Sequence, residues 1–223
     1  AKSFLDKATV DDVVVLFIAG HGLHDNDKEA TYYYLTYETD PKDLKGTAAR
    51  FEMIEDLMQK IAPRKKLFLI DTCDSGEMDG QTPDKYFKIG EGRGLRPRAT
   101  RSLTVVSGPS LTQARPYRAY LKNKRRFIYN DLFRRSGAIV FSSSRGGEVS
   151  WEMDAIENGI FTQEIINSFS DAGHADADGD SMISTGELRD YVSPAVAKKT
   201  NDYQHPTVDK DNIYQQFAFP MIK

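Results

Sequence analysis

The chain's one cysteine, Cys73, and one of its four histidines, His21, stand where nucleophilic chemistry could be done. Each follows a short apolar run. Val13-Val14-Val15-Leu16-Phe17-Ile18 leads into Ala19-Gly20-His21-Gly22, and Leu67-Phe68-Leu69-Ile70 leads into Asp71-Thr72-Cys73-Asp74-Ser75-Gly76. A thiol needs a base to become a thiolate near neutral pH, and an imidazole can supply it. Short runs rich in β-branched residues read as strands buried on both faces, as in parallel sheets. Ligands of open α/β sheets bind beyond the carboxyl ends of the strands. Two parallel neighbours would therefore bring His21 and Cys73 to one rim, although 52 positions separate them. Gly20, Gly22 and Gly76 permit sharp turns and close approach of a substrate backbone. A lone cysteine can equally be a small buried hydrophobe, so its context must separate the two readings.

The elements that would position this pair are legible in outline. Residues 2–8 read as the end of a helix, and Tyr32 to Thr36 as a hairpin strand. Phe51, Ile54, Leu57, Met58 and Ile61 recur at helical spacing, and Pro63 closes that helix. Residues 77–102, rich in Gly, Pro and charge, read as a long loop. Ala138-Ile139-Val140-Phe141 predicts a third strand, residues 160–169 and 186–198 predict helices, and the tail at 215–219 predicts a final edge strand. Strands alternating with helices imply an α/β fold with a mostly parallel sheet.

Taken together, Gly20-His21-Gly22 after one strand and Asp71-Thr72-Cys73-Asp74-Ser75-Gly76 after another resemble the caspase and metacaspase clan of cysteine peptidases, family C14. The spacing suits it, since the caspase histidine precedes the cysteine by about 50 residues. The caspase signature Gln-Ala-Cys is not matched, and the motif is closer to metacaspases and bacterial caspase-like peptidases. Ser142-Ser143-Ser144, Glu148, Ser150-Trp151-Glu152 and Gly159-Ile160-Phe161-Thr162 resemble the segment that follows the next strand in that bacterial group. The resemblance spans most of residues 5–220. It implies a caspase-hemoglobinase-type three-layer sandwich and a cysteine endopeptidase. His21 would be the general base and Cys73 the nucleophile, with the backbone N–H groups of Gly22 and Cys73 forming the oxyanion hole. Asp71 matches the acid that lines the S1 pocket in metacaspases, which implies cleavage after Arg or Lys through charge pairing. Asp71 could instead be a strand-end residue bonding nearby N–H groups. Caspase-like selectivity for Asp would use a cation, for which Arg145 is the candidate. Ser143, Ser144, Glu148, Trp151 and Glu152 would line the cleft, with core packing the competing role for Trp151.

The resemblance also implies a departure. Family members begin with a strand, helix and strand before the strand at 13–18, and that portion is missing here. The chain opens on Ala1-Lys2-Ser3 without an initiator Met and reads as a piece or processed form of a longer protein. The sheet would then lack its first strands, which an N-terminal fragment or a regulatory domain or subunit would supply.

Two further stretches carry chemistry. Between Arg93 and Arg135 there are 12 Lys and Arg against one acid, Asp131, whereas the whole chain carries −3. Within the basic loop region at 77–135, this segment could be the enzyme's own substrate, cut near Arg125 or Arg126. It could also be a nucleic-acid patch or a solvated surface. Asp176, Asp178, Asp180, Met182 and Glu187 fall at positions 1, 3, 5, 7 and 12 of an EF-hand-like loop, within an acidic loop and helix at 171–199. Ca²⁺ is the cation such oxygens suit; the alternative is a metal-free turn capped by its own carboxylates. Position 6 is Ser181 where the motif has Gly.

Composition bounds the rest. The chain has 223 residues, 39% hydrophobic and 28% charged, enough for one large domain with a real core. No run is long and apolar enough to span a membrane, and no signal-peptide pattern opens the chain. One cysteine excludes an internal disulfide and favours a reducing, cytoplasmic setting. The partners expected are protein or peptide substrates, and the peptidase chemistry requires no cofactor. The competing class is an inactive caspase-fold interaction module, calcium-regulated or not.

Overall fold

In a computed structural model, the protein is described at residues 2–24, 31–40, 42–72, 95–97, 136–145, 148, 150–153, 158–170, 175–208 and 217–220. In chain order the elements are α1 (Lys2–Leu5), β1 (Val13–Ala19), β2 (His21–His24), β3 (Tyr32–Leu35), α2 (Leu44–Thr47), β4 (Ala49–Arg50), α3 (Phe51–Gln59) and β5 (Lys65–Asp71). There follow β6 (Leu95–Pro97), β7 (Ala138–Ser142), β8 (Trp151–Met153), α4 (Ile160–Phe169), β9 (Met182–Ser184), α5 (Thr185–Lys199), β10 (Thr207–Val208) and β11 (Ala218–Pro220).

The central sheet has the order β1-β5-β7-β10. β1, β5 and β7 run parallel, and the short β10 is antiparallel to β7. Apolar side chains on both faces of β5 and β7 explain why helices cover them twice. On one face Phe68, Ile70, Ala138 and Val140 pack with Phe51 and Met58 of α3 and with Tyr32 and Tyr34 of β3. On the other, Leu67, Leu69, Ile139 and Phe141 pack with Ile160, Phe161 and Ile165 of α4 and with Leu188, Val192 and Val196 of α5. The result is the expected three-layer α/β sandwich with a mostly parallel central sheet.

β1 departs from the expectation of burial on both faces. Val14 is buried, but Val13, Val15 and Phe17 are 38%, 48% and 44% exposed. Among the described residues β1 is an edge strand, paired only with β5. The core of α4 and α5 reaches β5 and β7 and does not include the odd-numbered residues of β1.

Other details differ from the pattern-based reading. The tail strand β11 does not join the central sheet; it pairs with β9, the strand that closes the acidic loop. Leu95–Pro97, within the stretch read as loop, is a strand paired with β8. His21 and Gly22, read as a turn after β1, open β2, whose partner is β3. α3 stops at Gln59, two residues short of the apolar pattern, although Ile61 remains buried. Among the described residues, no helix is long and apolar enough to cross a membrane.

Candidate active site

The parallel register sets the geometry of the rim. β1 and β5 pair residue for residue from Val13 with Lys65 to Ala19 with Asp71, so both strands end at the same level. The Gly20 N–H donates to the Asp71 carbonyl at 3.1 Å, which carries the ladder one step past β1. His21, half-buried, comes next on the first strand's side. Thr72, fully buried, comes next on the other. Cys73 follows Thr72 in the chain and lies outside the described residues, as do Arg125 and Arg126.

Gly22 occupies a position that has no room for a side chain. A Cβ there would fall 1.9 Å from the hydroxyl oxygen of Tyr32. That hydroxyl is hydrogen-bonded to Thr72 Oγ1 at 2.6 Å. The hairpin that carries His21 is thus tied to the end of β5 by a side chain.

Asp71 is 0% exposed. Its carboxylate accepts from the Ser150 hydroxyl at 2.7 Å and from the Thr162 hydroxyl at the start of α4. A buried carboxylate costs a large desolvation penalty unless donors meet it, and these hydroxyls are such donors. Among the predicted cleft residues, Ser143 and Trp151 are linked to its neighbours, and Ser144 to Glu148. Ser143 Oγ donates to the Thr72 carbonyl at 3.1 Å, and Ser144 Oγ to the Glu148 carbonyl. The Trp151 N–H donates to Gln204 Oε1 at 2.9 Å, and Gln204 Nε2 donates to the Ser143 carbonyl at 2.8 Å. The Trp151 ring is buried in the core shared with α4 and α5, 6.0 Å from the ring of Tyr203. Glu152 is buried on β8, opposite Arg96 of β6.

Glu148 sits beneath this rim as an acceptor. It receives the backbone N–H groups of Arg145 and His205 at 3.2 and 2.8 Å. Its other oxygen lies 3.0 Å from Nδ1 of His205, whose Nε2 is 3.1 Å from Asp202. The Glu148 hydrogen bond holds the His205 imidazolium above its ordinary pKa, opposed by burial and by Arg145. Arg145, the candidate cation for an Asp-binding pocket, is half-buried here.

The acidic loop lies apart from this network in the contacts it makes. Oxygens of Asp176, Asp178 and Glu187 lie within 4.8 Å of one another. Those of Asp180 do not join them; Asp180 instead accepts the Met182 N–H at 2.7 Å. Ser181, where the motif has Gly, adopts φ 65°, so the sharp turn forms with a side chain present. Asp176 accepts the N–H groups of Gly179, Asp180 and Ser181. Glu187 accepts those of Ser184, Ala177 and Asp178, and the first of these does most to hold its carboxyl below the ordinary range. Three of the five predicted ligands therefore converge, and the same carboxylates cap the loop's own backbone.

Pattern reading missed Tyr32, Thr72, Ser150, Thr162, Gln204 and His205 as members of this rim. Thr72, Ser150 and Thr162 lay within motifs already singled out. Tyr32 read as a hairpin strand residue, while Gln204 and His205 follow a helix without any periodic or motif signal.

Comparison with known proteins bears on the whole chain. The family model described as the caspase domain of peptidase C14 matches residues 2–218. Among solved structures, a protein of Geobacter sulfurreducens is similar at 13% identity, over 93% of this chain and 69% of its own, with a TM-score of 0.48. No curated protein matches.

Proposed function

This chain belongs to the caspase-domain family of cysteine peptidases, and from that premise we propose that it is an active endopeptidase with His21 as base and Cys73 as nucleophile. The observation that supports this most is the parallel register of β1 and β5. It ends the two strands level, with His21 following one and Thr72-Cys73 the other. His21 takes the thiol proton, and the thiolate attacks the scissile carbonyl carbon. The oxyanion forms against the N–H groups of Gly22 and Cys73, donors aimed where charge develops. The C–N bond then breaks as the amine takes the proton from His21, and water hydrolyses the thioester, losing its proton to the same imidazole. This chemistry needs no cofactor.

Cleavage after Arg or Lys is the specificity we propose. Its support is the carboxylate of Asp71 two positions before Cys73, buried at the end of the strand, since a negative charge there favours a cationic P1 group over an anionic one. Fluorogenic peptides with Arg, Lys or Asp at P1 test both statements. Turnover of the Arg and Lys peptides, lost in Cys73→Ala and in His21→Ala, is the expected result. Turnover that survives Cys73→Ala would remove the assignment, and preference for Asp would replace the pocket with one built on Arg145.

Self-cleavage in the basic segment near Arg125 or Arg126 follows from the same preference. Mass spectrometry of the parent beside Cys73→Ala checks it; identical fragments from both would refute it. Calcium regulation is supported by the convergence of Asp176, Asp178 and Glu187. Calorimetric titration with Ca²⁺ should give heat with the parent and none with an Asp178→Ala, Glu187→Ala variant. The edge of β1, which among the described residues pairs only with β5, supports a regulatory segment or subunit added along that strand.

A further inference from the structure

On the reading that His21 and Cys73 form the catalytic pair, we propose that Tyr32 is a positioning residue that sets the separation of the two segments carrying them. The topology creates the need. His21 stands on β2 in the sheet β2-β3-β4, whereas Thr72, which precedes Cys73 in the chain, follows the last residue of β5 in the central sheet. These are two hydrogen-bonded systems, so their relative placement is not fixed by one continuous ladder. The Gly20 to Asp71 backbone bond joins them on the β1 side of His21. Tyr32 joins them on the other side.

Tyr32 lies opposite His24 across the β2–β3 pair and so shares a face with Gly22, two residues along β2. Its hydroxyl runs over Gly22, where a Cβ would lie 1.9 Å from the oxygen, and bonds Thr72 Oγ1 at 2.6 Å. Both partners are buried, Tyr32 at 4% exposure and Thr72 at 0%. The ring is held edge-on against Tyr34 at 5.2 Å. The brace therefore reaches from the residue after His21 to the residue before Cys73. Proton transfer requires about 2.6–3.2 Å between heavy atoms, and a misplacement of about 1 Å can cost about 10²-fold in rate. A buried hydroxyl pair is a short, stiff spacer of the kind this tolerance demands.

Cys73 is the only cysteine of the chain, so its alkylation by iodoacetamide reports on the pair without a substrate. In the parent, the rate should titrate below the pKa of an ordinary thiol, about 8.5. Tyr32→Phe should move that profile upward and slow alkylation at neutral pH about tenfold. It should also lower kcat on an Arg peptide about 10–100-fold with KM within about twofold, with the circular dichroism of the parent retained. Thr72→Val should do the same, Thr72→Ser should restore the parent profile, and the double variant should be no worse than either single one. A Tyr32→Phe profile superimposed on the parent's, while His21→Ala shifts it, would overturn the brace and leave the catalytic pair standing. If His21→Ala leaves the profile unmoved and no peptide is cut, the pair itself is wrong and the brace falls with it. Should Tyr32→Phe fail to fold, equal profiles for Thr72→Val and Thr72→Ser would refute the proposal.

Discussion

Asp71 has a structural role and the proposed one in binding P1, and a single substitution can separate them. Its carboxylate is buried and met by two hydroxyls, Ser150 and Thr162, and it ends the strand that leads to Cys73. Hydroxyls can donate or accept, so an amide in the same place can still be satisfied, at a cost of about 1–2 kcal/mol. An amide cannot supply the negative charge that a cationic P1 group requires. Asp71→Asn should therefore lower the thermal midpoint modestly but reduce kcat/KM for Arg and Lys peptides by about tenfold or more, a loss of at least about 1.4 kcal/mol of transition-state stabilisation. Retention of the parent's kcat/KM by a folded Asp71→Asn would confine Asp71 to a structural role. The sequence places this acid by motif alone; its hydroxyl partners, 79 and 91 positions away, have no signal that a linear reading could couple to it.

At the scale of elements, what was readable follows local pattern. The ranges read for α4 and α5 fall within a residue of those observed, and the Ser184–Glu187 capping box that opens α5 is a local signal of the same kind. β5 and β7 were readable as continuous apolar runs. β10 was not: it is two residues long and owes its place to pairing with the end of β7. The connection from α5 to β10 is pinned by His205, whose backbone N–H and ring both meet the buried Glu148. That contact makes stability depend on pH. The Glu148 hydrogen bond raises the folded-state pKa of His205 above the ordinary 6.5, with Asp202 assisting and burial and Arg145 opposing. A raised pKa means that the fold favours the protonated ring. Its stabilisation is complete below the unfolded value and is lost as pH rises through the folded one. The thermal midpoint should fall over that interval in the parent, and His205→Gln should flatten the slope. An unchanged slope in the variant would show that another group sets it.

For the molecule as a whole, the question is what a parallel sheet does with a strand that, among the described residues, is paired on one side only. Parallel strands are normally covered on both faces, and the sequence Val13–Ala19 reads as if β1 were. Its register partners agree: Val15 pairs with Leu67 and Phe17 with Leu69, both buried beneath α4 and α5. Yet Val15 and Phe17 are 48% and 44% exposed and Val13 38%. This apolar row, beside an edge that lacks a partner among the described residues, is also a template for strand addition. The linear reading could not see this, because it registers the apolar run and not the extent of the helical layer above it. A charged residue at an already half-exposed site displaces little packing, so Val15→Lys or Phe17→Lys should change unfolding free energy by no more than about 1 kcal/mol. The same change at Leu69 would bury an unpaired charge and should prevent folding. Where the parent associates with rising concentration in sedimentation velocity, the two β1 variants should suppress it, since lysine on an edge strand opposes pairing with another chain. If Phe17→Lys instead costs as much as Leu69→Lys, the α4–α5 face of β1 is already covered in solution.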